Sequence, residues 1–481
     1  MKRFVIVMLL VLVSTANLLA VDFKVNGVYT AWAQSQHAFN LSDDAYDHNY
    51  AVQMLRFNVQ AVTSEHLKVV TRFDMAQGWW GVDNSLRSVQ RPYGAYGGSS
   101  LFDYKDTNFL FHVDQAYVDF DVPEIPINAR IGRMWYGVGN KIMLDNNYDG
   151  IQVDLNNVIG KKLTLGWAKV SEGADALDDQ YNEATGMDSR DADLLMVNFE
   201  NSIENFHYNT FGFYYTDRSV DDMNAFVPNN LQFFKTRFSP QITQLTAIGL
   251  SGTYKAGKLT VDGEADFLMG KDDIDNDSHG NNQLVDINDG DLSGYNIYVK
   301  ANYAASDKLS VGAVGGMGSG DDDLTEGAGN VNKLRTSGFF YITEIWEDSI
   351  MPDEEGITPQ GIGAPNVRGY RELENSTLFQ VNGNYKLTKK LSGFLSYTYI
   401  MATQPIYEWN PDGTPNMDGE SANDLGQEID FKFVYGMQPE LKFLLRGGYF
   451  MPGDAAGYLL NGSTALDDPA WELKGMVLYK F

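Results

Sequence analysis

The chain has 481 residues, carries a formal net charge of −28 at neutral pH and contains no cysteine. The lack of thiols excludes disulfides, thiolate metal sites and cysteine nucleophiles, and the negative charge argues against nucleic acid as a partner. A hydrophobic content of 43% is ordinary, but 27 Tyr, 27 Phe and 8 Trp suit aromatic belts at two membrane interfaces.

The first twenty residues have the three parts of a secretory signal peptide. Lys2 and Arg3 precede an apolar stretch over 4–13, and small residues lead to Ala20, after which cleavage is expected, with Ala16 as the alternative. The apolar stretch is shorter than the roughly 20 residues that a membrane-spanning helix needs. We therefore expect residues 1–20 to be a signal peptide and residues 21–481 to form one exported domain.

From residue 23 onward, short segments alternate large apolar residues with polar ones, which is the period of a strand with one apolar and one polar face. The last of them ends the chain, with Leu473, Val477, Tyr479 and Phe481 on one face. Eighteen such segments are predicted, near 23–33, 51–62, 67–77, 108–121, 127–136, 147–156, 162–170, 191–200, 206–216, 242–254, 258–270, 292–304, 308–318, 375–386, 390–402, 425–437, 441–451 and 469–481.

The connections between these segments alternate between long and short. Short ones such as 63–66 and 387–389 have turn-like compositions, whereas the longest covers 320–374. This asymmetry predicts an all-β, transmembrane, up-and-down antiparallel β-barrel with short periplasmic turns and long extracellular loops. We expect about 18 strands, with 16 or 20 as alternatives, because residues 338–346 fit either a strand pair or a loop folded into the pore.

A barrel of this size predicts the cellular location and the partners. Lipid leaves backbone groups without hydrogen-bond partners, so a sheet in a membrane must close, and the expected site is the bacterial outer membrane. Outer-membrane lipid, lipopolysaccharide and the barrel-assembly machinery, which would recognise the C-terminal strand, are the expected partners, and the oligomeric state stays open. Eighteen strands enclose an aqueous channel, which predicts a porin for small hydrophilic solutes rather than an enzyme.

The polar face of each strand is expected to face the channel, because a charge facing lipid at mid-depth costs roughly 2–4 kcal/mol. Pairing of the last strand with the first joins a mainly basic wall, and an acidic wall lies opposite. The predicted basic wall contains Lys24, Arg56, Lys68, Arg72, Asp74, Glu428, Asp430, Lys442, Arg446, Glu472 and Lys474, and the acidic wall contains Asp262, Glu264 and Asp266 beside Lys300. Either these charges pair with one another and keep the lumen wet, or the arginines form a track for carboxylated or phosphorylated solutes.

Four short stretches resemble the alginate-export family of outer-membrane barrels. Residues 130–137 (RIGRMWYG) with 147–153 are similar to its paired-strand signature, and 425–430 with 448–454 are similar to its closing strands. The resemblance implies an 18-stranded barrel with a lumen lined by Arg and Lys, and it implies that Arg133 is a lumen arginine. Alternation alone leaves Arg133 open, because it shares a face with Ile131.

Two functions are therefore expected as alternatives. The first is a passive porin for small hydrophilic, anionic and sugar-acid-like solutes. The second is a dedicated exporter of an acidic, alginate-like polysaccharide. The acidic wall favours the first function, because carboxylates in the lumen would repel a polyanion.

Two further patterns have some features of metal or catalytic sites. Asp273, Asp275 and Asp277 have the spacing of the first three ligands of a calcium loop, but Leu284 stands where the loop needs a glutamate. They predict a weak loop calcium site or a solvated acidic loop, and no other cofactor is expected. His112 and Asp114 share a strand face, but no nucleophile motif accompanies them, so no enzyme is predicted.

Overall fold

The computed structural model describes residues 21–44, 47–80, 112–171, 192–217, 244–272, 290–320, 340–347, 373, 375–411 and 416–481. In these ranges the chain forms eighteen strands and one short helix. The strands are β1 (Asp22–His37), β2 (His48–Ser64), β3 (Leu67–Trp79), β4 (His112–Asp121), β5 (Ile127–Gly137), β6 (Asp145–Asn156), β7 (Lys162–Ser171), β8 (Ala192–Ile203), β9 (Phe206–Asp217), β10 (Gln244–Ala256), β11 (Leu259–Asp272), β12 (Gly290–Ala304), β13 (Leu309–Gly318), β14 (Ser376–Lys386), β15 (Leu391–Tyr407), β16 (Ser421–Gly436), β17 (Leu441–Pro452) and β18 (Ala470–Lys480), and the helix is α1 (Asp454–Asn461).

The sheet closes on itself. Each strand pairs antiparallel with the next one along the chain, and β18 pairs with β1 from Val28↔Lys480 to His37↔Trp471. Closure leaves no free sheet edge, so every strand finds backbone partners on both sides. The short connections all lie at the end of the barrel where β1 begins and β18 ends, and the long ones lie at the other end. The predicted fold class and the strand number of eighteen are confirmed.

Apolar side chains cover the outside of the barrel. On β12, Tyr295, Ile297 and Val299 are exposed, whereas the alternating residues Asn296 and Tyr298 are buried. The same alternation recurs on the other strands, because successive side chains of a strand point to opposite faces. Exposed apolar side chains repeated around a closed barrel form a belt that contacts acyl chains.

The helix α1 lies in the connection between β17 and β18 and was not predicted. It packs against β15, β16 and β17, and its residues from Ala455 to Leu460 are buried. It ends at Gly462, whose left-handed backbone (φ 68°) directs its N–H to the carbonyl of Tyr458. Within the described part of the chain, no helix is long and apolar enough to span a membrane.

A matched pair of neighbouring substitutions tests which face of β14 contacts lipid. Val381 lies on the outer face near the middle of the strand, and Asn382 lies on the inner face beside Gln380. Val381→Arg should destabilise the folded barrel by about 2–4 kcal/mol, because it places a charge in the bilayer. Asn382→Arg should cost less than half as much, and urea unfolding from lipid vesicles measures both. Equal losses would contradict the assignment of the two faces.

Candidate functional site

The longest connection, between β13 and β14, sends residues 340–347 into the barrel, and this stretch is named the inward segment. Trp346 is buried and stacks on Phe450 of β17, with 5.1 Å between the ring centroids. Phe340 meets Tyr298 of β12 edge-on at 4.9 Å. Of the two alternatives for this stretch, a strand pair or a loop folded into the pore, the structure shows the second. The inward segment crosses the inner wall from β12 to β17.

Glu428 of β16 binds the backbone of the inward segment. The N–H groups of Ile345 and Trp346 donate to its two carboxylate oxygens at 2.6 and 2.9 Å. On β14, the side-chain amide of Gln380 donates to the carbonyl of Ile342 at 3.2 Å. Hydrogen bonds to a carboxylate are roughly twice as strong as neutral ones. Glu428 is fully buried and therefore supports the segment rather than facing open water.

The side chain of Glu344 adds ion pairs to this attachment. Its carboxylate lies 2.8 Å from Arg446 Nε of β17 and 3.8 Å from Lys474 Nζ of β18. Lys474 also pairs with Glu472 at 2.8 Å. On the adjacent β1, the side-chain amide of Gln34 donates to Glu472 at 2.7 Å. One network of charges therefore joins the inward segment to the strands that close the barrel.

Three basic residues lie side by side beneath the inward segment. Lys432 on β16 is cross-strand to Arg446 on β17, which is cross-strand to Lys474 on β18. This set is named the basic row. Lys474 is buried, Arg446 is partly buried and Lys432 is exposed on the inner face. The row thus runs from a covered end beneath Glu344 to an end that is open to the interior.

A second connection also enters the barrel. Residues 138–144, between β5 and β6, are named the second inward segment, and Ile142, Met143 and Leu144 are fully buried in it. The backbone N–H of Asn140 donates to a carboxylate oxygen of Glu264 on β11. Only 3% of the surface of Glu264 is exposed, so this part of the acidic wall is covered rather than open to water.

On β2 and β3, the predicted basic side chains are paired with carboxylates. Arg56 donates to both oxygens of Asp74 at 2.7 Å each, which is the planar two-bond geometry that a guanidinium favours. Arg72 donates to Asp114, whose second oxygen accepts from the amide of Asn147 at 2.7 Å. Asp114 is therefore bound by guanidinium and amide groups. The cluster crosses β2, β3, β4 and β6.

The remaining predicted lumen residues lie apart from these clusters. Lys68 pairs with Asp119 at 3.0 Å, and Asp262 accepts from Thr253 at 2.6 Å beside its cross-strand neighbour Lys300. Lys24 and Lys442 are exposed and lie near the end of the barrel that carries the short connections.

Arg133 does not face the lumen, although the resemblance implied that it would. It occupies the outer face of β5 with the exposed Ile131 and Trp135, and it pairs with Asp149 at 3.4 Å. Arg130 is the inward arginine of this strand, and it donates to Asp154 of β6 at 2.9 Å. The alternation of apolar and polar residues pointed to the outer face, because Arg133 shares its face with Ile131.

The proposed calcium ligands Asp273, Asp275 and Asp277 lie outside the described residues. Among the residues that are described, no group of three or more His, Cys, Asp or Glu side chains is arranged to hold a metal ion.

Solved structures with a similar fold include outer-membrane proteins of Pseudomonas aeruginosa. OccK8 (OprE) aligns with a TM-score of 0.53 and 12% identity, over 96% of this chain and 98% of that chain. OpdK, crystallised with vanillate, aligns with a TM-score of 0.50 and 11% identity over 96% of this chain and 98% of that chain. OccK11 (OpdR) aligns with a TM-score of 0.50 and 10% identity over 96% of both chains. The chain matches no protein-family model and no curated protein sequence.

At these identities the likeness shows the fold alone. It supports an outer-membrane β-barrel of the porin type, and it does not support the resemblance to the alginate-export family. The acidic-polysaccharide exporter is likewise unsupported. The closed barrel, its apolar belt and its similarity to these outer-membrane proteins place the chain in a bacterial outer membrane.

Proposed function

We propose that the protein is a passive channel for small hydrophilic solutes, with a preference for carboxylates. The observation that carries this proposal is the closed barrel whose inner face bears charged clusters and is partly filled by two inward segments. Eighteen strands enclose more space than side chains alone fill, so a water-filled path remains the default for such an interior. The inward segments would narrow that path and bring solutes close to charged groups.

The preference for carboxylates rests on the basic row. Arg446 and Lys474 already bind one carboxylate, that of Glu344 on the inward segment. Lys432 continues the row towards the interior, and no residue in the described ranges forms a hydrogen bond or ion pair with its ammonium group. A solute carboxylate at Lys432 would meet a charge that is not yet neutralised. OpdK, which shares the fold, was crystallised with vanillate, which also carries a carboxylate.

The first test neutralises the open end of the basic row. Lys432→Gln should weaken block of the channel by a small aromatic carboxylate about two- to fivefold, which corresponds to about 0.5–1 kcal/mol for a solvent-exposed ion pair. It should also move the reversal potential in a KCl gradient towards cation selectivity. Planar-bilayer recordings measure both quantities. Lys389→Gln, in an exposed turn, is the matched control, and an equal effect of both changes would contradict the role of Lys432.

The second test releases the inward segment. Glu428→Gln replaces two charge-assisted hydrogen bonds, each worth about 1.5–3 kcal/mol, with at most one neutral bond. We expect a larger single-channel conductance with more frequent transitions between levels. The chain has no native cysteine, so a Thr343→Cys reporter should react with a maleimide at least tenfold faster in the Glu428→Gln background.

Glu440→Gln, in the exposed turn between β16 and β17, is the control for this experiment. Retained resistance to unfolding in cold SDS would show that the Glu428→Gln barrel is intact. A folded variant with unchanged conductance and a protected Thr343→Cys thiol would refute the role of Glu428.

A further inference from the structure

The two inward segments rest on the same short motif. Glu428 and Asp430 on β16 and Glu264 and Asp266 on β11 each place two carboxylates on the inner face, separated by one outward residue. In each motif the Glu carboxylate accepts backbone N–H groups from an inward segment. The two motifs differ in the number of hydrogen bonds that their carboxylates accept.

The pair on β16 has several partners. Ile345 and Trp346 donate their N–H groups to Glu428, and the N–H of Glu344 donates to Asp430. Three consecutive backbone donors of one segment therefore face the two carboxylates. Such a run of N–H groups forms an anion-binding concavity.

The pair on β11 accepts fewer hydrogen bonds. Glu264 accepts from Asn140, and Asp266 accepts from the side-chain amide of Asn296 at 2.7 Å. Both carboxyl groups are buried, and they lie two residues apart on the inner face of β11. No lysine or arginine in the described part of the chain forms an ion pair with either of them. Two neighbouring buried carboxylates with neutral donors only need a cation or a proton.

Three oxygen atoms at this place accept no hydrogen bond from any described residue. They are Glu264 Oε1, Asp266 Oδ1 and Asn296 Oδ1, and their side chains are 3%, 4% and 0% exposed. Asn296 stands directly across from Asp266 in the register of β11 and β12 and contacts it through the side-chain amide, so the three oxygens belong to one group of touching side chains. Buried acceptors without a donor are rare in folded proteins. Carboxylate and amide oxygens are also the ligands that hard divalent cations select.

We propose that Glu264, Asp266 and Asn296 hold a hard divalent cation, with Ca²⁺ as its probe, at the place where the second inward segment meets β11. The cation offsets the two buried carboxylates and satisfies the three unpartnered oxygens, and water completes its coordination. Because Glu264 also accepts the N–H of Asn140, the cation keeps the carboxylate charged and thereby strengthens the attachment of the second inward segment. This site is distinct from the basic row.

The experiment measures unfolding of the refolded, lipopolysaccharide-free barrel in detergent, after treatment with EDTA and at constant ionic strength. Ca²⁺ at a hundred times its dissociation constant should favour the folded barrel by a factor of about 100. Glu264→Gln and Asp266→Asn should each abolish this response. Asp262→Asn, two positions away on the same face, should keep it, as should replacement of Asp273, Asp275 and Asp277 by Asn.

Terbium luminescence provides a second readout that does not depend on stability. Tyr298 is cross-strand to Glu264 and should sensitise a bound Tb³⁺ ion. Tyr298→Phe should lower the emission at least twofold and leave the response to Ca²⁺ intact, whereas Asp266→Asn should remove both. A barrel that ignores Ca²⁺ would overturn the proposal, as would stabilisation by acid alone to the same extent, since the carboxylates would then share a proton. Emission that survives every one of these changes would place the ion elsewhere and would also overturn it.

Discussion

The hydrocarbon core of a membrane offers no hydrogen bonds, and the rest of this structure follows from that constraint. Backbone groups can be satisfied only if the sheet closes, as it does where β18 pairs with β1. Closure then separates the two faces of every strand, because apolar side chains such as Ile297 contact lipid while the alternating positions turn inward. Most charged side chains therefore lie on the inner face, and Arg133 on the outer face is paired with Asp149.

An interior of eighteen strands is too wide for the strand side chains to fill, and connections from one end occupy part of it. Both inward segments bring backbone N–H groups into a region with little water. Each segment uses a strand carboxylate as the acceptor, Glu428 in one case and Glu264 in the other. The buried acids of the wall are therefore supports for loops first, and open charges such as Lys432 are the groups available to solutes.

The strand number and the two faces could be predicted from the sequence, because alternation is a local signal carried by neighbouring residues. The contacts that hold the inward segments could not, although a loop folded into the pore was one of two alternatives for residues 338–346. Ile345 and its acceptor Glu428 are 83 positions apart, and Asn140 and Glu264 are 124 positions apart, so no short-range period reports these contacts. Of the two stretches, only 338–346 stood out, through its run of aromatic and apolar residues inside an otherwise polar connection.

Two other differences between the sequence-based predictions and the structure have local causes. Arg133 was assigned to the lumen by resemblance, although Ile131 and Trp135 on its face indicate the outer side, and the structure follows the apolar neighbours. The helix α1 is only eight residues long and lies in a connection. About two helical turns are too few for the helical repeat of apolar residues to be recognised in the sequence.

The network around Lys474 also sets an order of events during folding. Glu472 and Lys474 belong to β18, the final strand, yet Gln34 of β1 and Glu344 of the inward segment both bind there. The inward segment therefore cannot reach its final position until the C-terminal strand has arrived and the seam has formed. Contacts between such distant parts of a chain form slowly, because loop closure must come first. An assembling barrel would pass through a stage with a complete wall and an undocked loop, wider inside than the mature protein.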